Sequence, residues 1–281
     1  MRDNSKRFAA GAEAPPVVAQ DEETRSPLDF SVPTEIVDLP SKGRFYSEVH
    51  PLRNRDSIEI KFMTAKDEDI LTSPSLLKKG IAIDRFLKNI ILDGTIRVPS
   101  LLSGDKNAIL VASRINGFGP EYATKMTCPS CGTASEHTFD LNSIDVYEGN
   151  DYDDYDVTPT DRGTFIVKLP KSQFEMEVRL LTGKDESDLL VKMQANKKAK
   201  AYEPNLTDQL RMITISINGN EDRSLINRAV DALPAFDSRY LRAAYAKIQP
   251  GLDMMQDFSC NACGYEKEVE MPLTVDFFWS R

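Results

Sequence analysis

The sequence contains the same short motif twice, as TCPSCG at residues 127–132 and as SCNACG at residues 259–264. A CxxC turn presents two sulfur atoms to one metal ion, and the glycine after the second cysteine relieves crowding where φ is positive. In both places the glycine leads into a segment of alternating apolar and polar residues, which predicts a β-strand. The motifs therefore predict two matching hairpin turns, which together hold all four cysteines of the chain.

Each motif ends a longer series of similar segments, which predicts an internal duplication. Both series contain an LP dipeptide, an alternating strand, a helix start with the pattern TxKDE and an aspartate before a further helix. The matching members are residues 39–40 and 169–170, 57–62 and 174–180, 64–71 and 182–189, and Asp105 and Asp237. Because repeats usually pack together to bury shared apolar surface, we expect a mixed α+β fold of two duplicated halves in a pseudo-twofold arrangement.

Composition divides the chain into four parts. Residues 1–32 are rich in alanine, proline and charged residues and have few large apolar side chains, which predicts a disordered tail. Residues 33–144 are the predicted first repeat and residues 163–281 the predicted second repeat. Between them, residues 145–162 are strongly acidic, which predicts a solvated linker. A calcium loop is the alternative, although the segment lacks the regular spacing and closing glutamate of an EF-hand.

The cysteine pattern predicts one structural Zn²⁺ ion per chain. Structural zinc is held tetrahedrally, commonly by four thiolates, and each predicted repeat supplies only two. We therefore expect one zinc-ribbon-like site between the halves, with the ligands Cys128, Cys131, Cys260 and Cys263. No apolar run of signal-peptide length follows Met1, so we expect a reducing, intracellular environment, which favours metal binding. Local disulfides, redox CxxC sites and unlinked reduced cysteines are the alternatives.

The sequence carries none of the common catalytic motifs, and we predict that the protein is not an enzyme. It has no GxxxxGK[ST], GxGxxG, HExxH or GxSxG pattern. The TxKDE segments place carboxylates where helix capping and the helix dipole favour them, although an acid/base set is the alternative. These carboxylates belong to Asp67, Glu68, Asp185 and Glu186.

Two histidines and the aromatic residues near the end of the sequence are further candidate features. His137 follows Cys131 closely and is either an exposed strand residue or a group beside the metal. His50 lies in a loop that only the first repeat contains and has no visible partner. The aromatic residues 277–279 indicate either closure of the core by a final strand or a tail that docks into a partner.

Three stretches of sequence carry a family resemblance. They are PTEIVDLPSKGRFY at residues 33–46, MTAKDEDIL at residues 63–71 and LLKKGIAIDRFLKNII at residues 76–91, and the paired CPSCG and CNACG motifs add to them. Together they resemble the T4-type baseplate hub proteins of contractile-tailed bacteriophages. The resemblance implies a structural or assembly component of the hub, located in the virion tail baseplate or in the host cytoplasm during assembly. It supplies no catalytic residues.

The resemblance also implies partners, namely other baseplate or tail-hub proteins, with a homo-oligomer as a further option. A zinc-ribbon nucleic-acid-binding accessory factor of a phage is the alternative function. That function needs basic and stacking aromatic residues around the cysteines, where the charges are mixed and only Phe258 and Tyr265 are aromatic. The formal net charge of -9 does not favour nucleic acid either, and no segment is long and apolar enough to predict a membrane span.

Overall fold

Helices and short strands alternate along the chain in the computed structural model, which describes residues 32–198, 205–271 and 275–278. The helices in this part are α1 Ala65–Thr72, α2 Pro74–Lys79, α3 Ala82–Ile90, α4 Ser103–Phe118, α5 Gly183–Lys198, α6 Asn205–Ile213, α7 Arg223–Asp231 and α8 Ala235–Ile248. The strands are β1 Thr34–Asp38, β2 Ser57–Lys61, β3 Glu121–Thr127, β4 Ala134–Asp140, β5 Val146–Tyr147, β6 Val157–Pro159, β7 Thr164–Lys168, β8 Glu175–Arg179, β9 Thr214–Ile217, β10 Gly251–Leu252, β11 Met255–Ser259 and β12 Glu266–Glu270. Except for Val32, the tail predicted to be disordered lies outside the described residues.

The strands form five antiparallel sheets within the described part of the chain. Four sheets have two strands each, namely β1 with β2, β3 with β4, β5 with β10 and β11 with β12. The fifth has four strands in the order β6-β7-β8-β9. Because small antiparallel sheets occur together with helices, the prediction of a mixed α+β fold is confirmed.

The strand predicted at residues 57–62 is confirmed as β2, one residue shorter. Its sequence SIEIK alternates, so that Ile58 and Ile60 are buried while Glu59 between them is exposed. In the hairpin with β1, Val37 pairs with Ile58 and is also buried. The alternation predicts this arrangement because successive side chains of a strand point to opposite faces.

The two TxKDE segments start helices through the same pair of hydrogen bonds. The N–H and hydroxyl of Thr64 donate to the carboxylate of Asp67 over 2.9 and 2.6 Å at the start of α1. The N–H and hydroxyl of Thr182 donate to Asp185 over 2.9 and 2.8 Å at the start of α5. Capping is therefore the role of both aspartates, as predicted, because their oxygens satisfy donors near the helix start.

Two buried aspartates hold the turns that follow the LP dipeptides. Asp105, in the first turn of α4, accepts hydrogen bonds from the N–H and hydroxyl of Ser41 over 3.0 and 2.6 Å. Asp237, in the first turn of α8, accepts hydrogen bonds from the N–H groups of Lys171 and Ser172 over 2.9 and 2.7 Å. All four bonds join segments more than sixty residues apart, so they fix the position of each long helix against a hairpin.

One hydrophobic core contains side chains from both predicted repeats, and Phe86 of α3 and Phe165 of β7 both belong to it. Tyr152 and Tyr155 of the acidic segment, residues 145–162, also pack against this core. In the same segment β5 pairs with β10, which follows α8. The division of the chain into two repeats and a linker stays a prediction.

The aromatic residues near the C-terminus belong to the core as far as they are described. Phe277 and Phe278 are both 2% exposed and lie in a 3-10 turn rather than in a strand. The ring of Phe277 contacts Tyr122, with centroids 5.0 Å apart, and the N–H at Nε of Arg114 donates to its carbonyl over 3.0 Å. The third aromatic residue, Trp279, lies outside the described residues.

Candidate metal centre

The two CxxC motifs occupy equivalent turns of two hairpins, the first between β3 and β4 and the second between β11 and β12. The N–H of Gly132 donates to the carbonyl of Cys128, and the N–H of Gly264 donates to the carbonyl of Cys260, both over 2.9 Å. The two glycines have φ values of 71° and 68°, a conformation in which a Cβ atom is strained. The predicted positive-φ glycine is thus present in both turns.

The four sulfur atoms lie within 4.8 Å of one another. The Sγ atoms of Cys128 and Cys263 are 3.8 Å apart, as are those of Cys131 and Cys260, so both of these close pairs join one hairpin to the other. A tetrahedral ion with metal–sulfur bonds of about 2.3 Å needs sulfur atoms about 3.8 Å apart. All four cysteines are free, and these distances are far longer than the roughly 2.05 Å of a disulfide. The cluster could therefore hold one metal ion.

Each hairpin contributes one inner and one outer cysteine. Cys128 and Cys260 are each 1% exposed, whereas Cys131 and Cys263 are exposed. Phe258 of β11 is buried beside the inner pair. Three partly buried side chains complete this small apolar cluster: Met126, Tyr265 and Val269. The inner sulfur atoms consequently lie against apolar side chains, and the outer ones face solvent.

Hydrogen bonds favour the thiolate form of two of the cysteines. The hydroxyl and N–H of Thr133 lower the pKa of Cys131 to about 6. The N–H groups of Cys263 and Ala262 lower the pKa of Cys260. A thiolate is the form of cysteine that binds metals, so these donors prepare the site for a cation.

Crowding of the sulfur atoms has the opposite effect on Cys263. The N–H of Tyr265 lowers the pKa of this thiol, but contacts with the sulfur atoms of Cys131, Cys260 and Cys128 raise it to about 12. The raised pKa means that Cys263 holds its proton at neutral pH unless a compensating positive charge lies beside it. A bound cation supplies that charge, and binding would release the proton of Cys263.

A sequence model of the T4 bacteriophage base plate protein family matches residues 32–279. The chain belongs to this family. The predicted resemblance to baseplate proteins is thereby confirmed, while the assignment to the hub stays a prediction. No curated protein and no solved structure matches the chain.

Membership in the base plate family supports a structural role in the phage tail baseplate, with other baseplate proteins as partners. It also fits a protein that is not an enzyme. No helix in the described part of this base plate protein is long and apolar enough to cross a membrane.

His137 of the base plate protein lies beside the four cysteines without joining their cluster. Its half-buried ring packs between two phenylalanines, with centroids 4.5 Å from Phe139 of its own hairpin and 5.3 Å from Phe258 of the other. The cluster of metal-ligating groups within the described residues contains the four cysteines alone. His137 therefore connects the hairpins through ring contacts, and it is neither fully exposed nor a ligand.

The expectation that His50 has no partner is wrong. Its Nε2 atom lies 2.8 Å from the hydroxyl of Ser100, and its ring stacks on Tyr46 at 4.2 Å. Burial lowers the pKa of His50. These partners could not be found from the sequence, because they are brought together by folding of the loop that contains His50.

Sequence reasoning also missed Thr133, the residue whose donors act on Cys131. The available signal was its position directly after CPSCG, where an N–H and a hydroxyl can both reach the second cysteine. The contact between the hydroxyl of Ser143 and the side-chain oxygen of Gln256, 2.8 Å, was missed for a different reason. This contact joins the end of the first hairpin to a strand of the second, and no local sequence pattern predicts such a pairing.

Proposed function

We propose that this base plate protein helps to build the central hub of a contractile tail through protein–protein contacts, and that one structural zinc ion joins its two halves. The proposed ligands are Cys128, Cys131, Cys260 and Cys263. The observation that carries the proposal is the meeting of two sequence-distant CxxC hairpins in a baseplate-family chain. The protein would act in the tail baseplate, after assembly in the host cytoplasm.

The donor set favours zinc over other metals. Thiolates are soft ligands, and a closed tetrahedral set of four is typical of structural zinc, whereas catalytic zinc keeps one position open for water. Calcium and magnesium prefer oxygen ligands and fit this cluster poorly. The proposed ion therefore has a structural role, which agrees with an assembly protein.

The proposed zinc ion would act as a cross-link between distant parts of the chain. Cys131 and Cys260 are 129 positions apart in the sequence. Closing so long a loop reduces the conformational freedom of the unfolded chain. Metal binding contributes about 10–16 kcal/mol to the folding of isolated zinc-finger peptides. In this chain a large core already fixes much of the fold, so we expect the ion chiefly to hold the hairpins together.

We also propose that the chain is an internal duplication. Both predicted repeats contain a capped TxKDE helix, an aspartate that holds an LP turn and a CxxC hairpin with a positive-φ glycine. These matched features are carried by the pairs Asp67 and Asp185, Asp105 and Asp237, and Gly132 and Gly264. Short motifs recur by chance, but recurrence of similar hydrogen bonds in the same order supports a common origin.

The charges of the second hairpin argue against the nucleic-acid alternative. Strand β12 has the sequence EKEVE and exposes three glutamates beside a single lysine. Carboxylates repel phosphates, and nucleic-acid binding depends on clustered cations. We therefore assign no nucleic-acid function to the hairpins.

Deletion of the gene from its phage tests the hub assignment. We expect the deletion to prevent assembly of complete baseplates, as seen by electron microscopy, and a plasmid copy to restore it. Chemical cross-linking of restored particles should join the chain to proteins at the centre of the baseplate. Normal baseplates in the deletion strain, or cross-links confined to polymerase subunits or DNA, would overturn the proposal.

A further inference from the structure

A cleft of about 890 Å³ separates the first half of the chain from the start of α5. One wall is α3 together with the 3-10 turn Val98–Ser100. The other wall includes Thr182 and Lys184. Sites that enclose a small molecule or several side chains commonly have volumes of about 300–1,000 Å³, so the cleft has room for a short peptide segment.

The cleft concentrates positive charge on a chain whose net charge is -9. Four cations line it, namely Arg85, Lys88, Arg97 and Lys184, and all four are exposed. In the described part of the chain no ion pair engages any of them. The single acidic residue of the lining, Asp84, is paired with Lys106 at 3.1 Å. The four exposed cations are therefore free to meet an acidic ligand.

The wall of the cleft between these cations is aliphatic. Ile96 and Val98 are buried in it, and Ile81 and Pro99 complete the apolar lining. No aromatic side chain is among the described residues that line the cleft. Single-stranded nucleic acid is held by cations together with stacking aromatic rings, and this lining has only the cations. An extended peptide that alternates carboxylates with aliphatic side chains matches both parts of the surface.

We propose that this cleft binds an acidic, aliphatic segment of another baseplate protein. The inference rests on the proposed function, since it supplies a partner contact for a protein that assembles through such contacts. Complementary charges would steer the segment to the cleft, and aliphatic contacts with Ile81 and Pro99, the more exposed apolar residues of the lining, would hold it there. The cleft uses residues of both predicted repeats, so the bound segment would contact both.

A peptide titration of the purified full-length chain tests the inference. The probe is a fluorescein-labelled peptide of about ten residues in which glutamate alternates with leucine, followed by fluorescence anisotropy. The control probes replace glutamate with lysine, or leucine with serine. We expect binding of the glutamate-leucine peptide alone, and at least about ten-fold weaker binding when salt is raised from about 0.05 to about 0.5 M.

Charge reversal locates the binding site. We expect the double variant Arg85→Glu/Arg97→Glu to bind the peptide at least about ten-fold more weakly than the wild type. The matched control is Lys66→Glu/Arg239→Glu, which changes the net charge equally at exposed helix residues outside the cleft lining. The control should bind within about two-fold of the wild type, and circular dichroism should show that both variants are folded.

Three outcomes would overturn the inference. The first is equal binding of the peptide by both double variants, and the second is binding of single-stranded DNA that is tighter than that of the peptide and is lost in Arg85→Glu/Arg97→Glu. The third is self-association of the wild type that Arg85→Glu/Arg97→Glu alone loses. The last outcome would assign the cleft to a second copy of the chain. These results are distinguishable from failure of the proposed function. A chain that restores baseplates yet binds no acidic peptide loses only the cleft proposal, whereas a peptide-binding chain that is dispensable for baseplates loses the hub proposal.

Discussion

The two inner sulfur atoms, those of Cys128 and Cys260, lie at equivalent positions of the two turns and are equally buried. Each is the first cysteine of its motif, and both pack in the same small apolar cluster. A shared four-ligand site loses its closed coordination shell whichever of them is replaced. The consequences of the two replacements should therefore be alike.

We predict that Cys128→Ser and Cys260→Ser cause the same loss of zinc. Each should reduce the metal content from one ion per chain to a small fraction after dialysis against a chelator, as measured by inductively coupled plasma mass spectrometry. Ser130→Ala, at an exposed position inside the first turn, should keep the metal. If only one of the two cysteines matters, the shared site is wrong.

A second residue-scale prediction concerns Asp185, whose side chain pairs with Arg179 at 2.7 Å. Burial raises the pKa of Asp185, but hydrogen bonds from Arg179 and Thr182 outweigh it and lower the pKa from 3.8 to about 2. A carboxyl group whose pKa is lowered by folding stabilises the fold at pH values above its pKa in the unfolded chain. This contribution is lost as the pH falls through its pKa in the folded chain. The relevant window is therefore between about pH 4 and pH 2.

We expect Asp185→Asn to lower the free energy of unfolding by about 2 kcal/mol at pH 7, because one pKa unit corresponds to about 1.4 kcal/mol. Its deficit relative to the wild type should shrink as the pH falls from 4 towards 2 (about the window given by the two pKa values). Urea denaturation at several pH values measures this. The control is Asp188→Asn, at an exposed position of the same helix, which should change the free energy of unfolding little at any of these pH values. A deficit that does not vary with pH would contradict the explanation.

Single residues were predictable where a local rule decides their role. Asp67 and Asp185 follow from the capping pattern, and Gly132 and Gly264 follow from the geometry of a CxxC turn. Tyr46 was not predictable. Its buried hydroxyl donates to Asp105 over 2.7 Å and accepts from the N–H of Leu102 over 3.0 Å, and both contacts span more than fifty residues.

Among the elements, the two hairpins that carry the cysteines are short, and each forms a separate two-stranded sheet. An isolated two-stranded hairpin has marginal stability in water. Phe258 supplies contacts between them, since it is 2% exposed, packs beside the inner cysteines and meets the ring of His137. Packing and metal binding should therefore depend on each other in these hairpins.

We predict that Phe258→Ala weakens both properties. Removing a buried phenylalanine side chain costs about 3–5 kcal/mol, and zinc should leave the variant faster when a coloured chelator competes for it. Met255→Ala is the matched control, because Met255 lies in the same strand and is 45% exposed. Equal rates of zinc release from the two variants would show that the packing of Phe258 does not support the site.

The apolar segment of residues 210–219, which the sequence pattern matches with residues 87–94 of the first repeat, shows the limit of predicting elements from the sequence. The sequence indicates an apolar segment from Leu210 to Gly219, without a division. The structure ends α6 at Ile213 and starts β9 at Thr214. The alternation of Thr214-Ile215-Ser216-Ile217 is typical of a strand, but it covers only four residues, and pairing with β8 decides its conformation.

For the whole molecule, the class of fold and the meeting of the four cysteines were predictable, whereas several long-range contacts were not. The pairing of β5 with β10 involves two residues in each strand, too few for any periodic signal. The antiparallel contact between Leu102 and Thr182, which joins the starts of α4 and α5, has no sequence signature either. Such contacts arise when the core forms, because helices must then bury their apolar faces together.

We predict that removal of the metal loosens the hairpins and leaves the rest of the molecule folded. Hydrogen exchange followed by mass spectrometry should show faster exchange in β3, β4, β11 and β12 after chelation. The core helices α4 and α8 should change little, since they are held by buried contacts such as those of Asp105 and Asp237. Readdition of zinc should restore the original exchange, and faster exchange throughout the chain would contradict this expectation.

The distance along the chain between the two CxxC turns has a consequence for the order of events during synthesis. Cys128 and Cys131 leave the ribosome well before Cys260 and Cys263, because Cys260 lies 129 positions after Cys131. Until the second turn has been made, the nascent chain therefore carries only two of the four proposed ligands. Truncated products that stop before the second turn would lack a complete set of ligands. Metal loading would thus mark chains that contain both turns, and only these would enter a growing baseplate with the two hairpins joined.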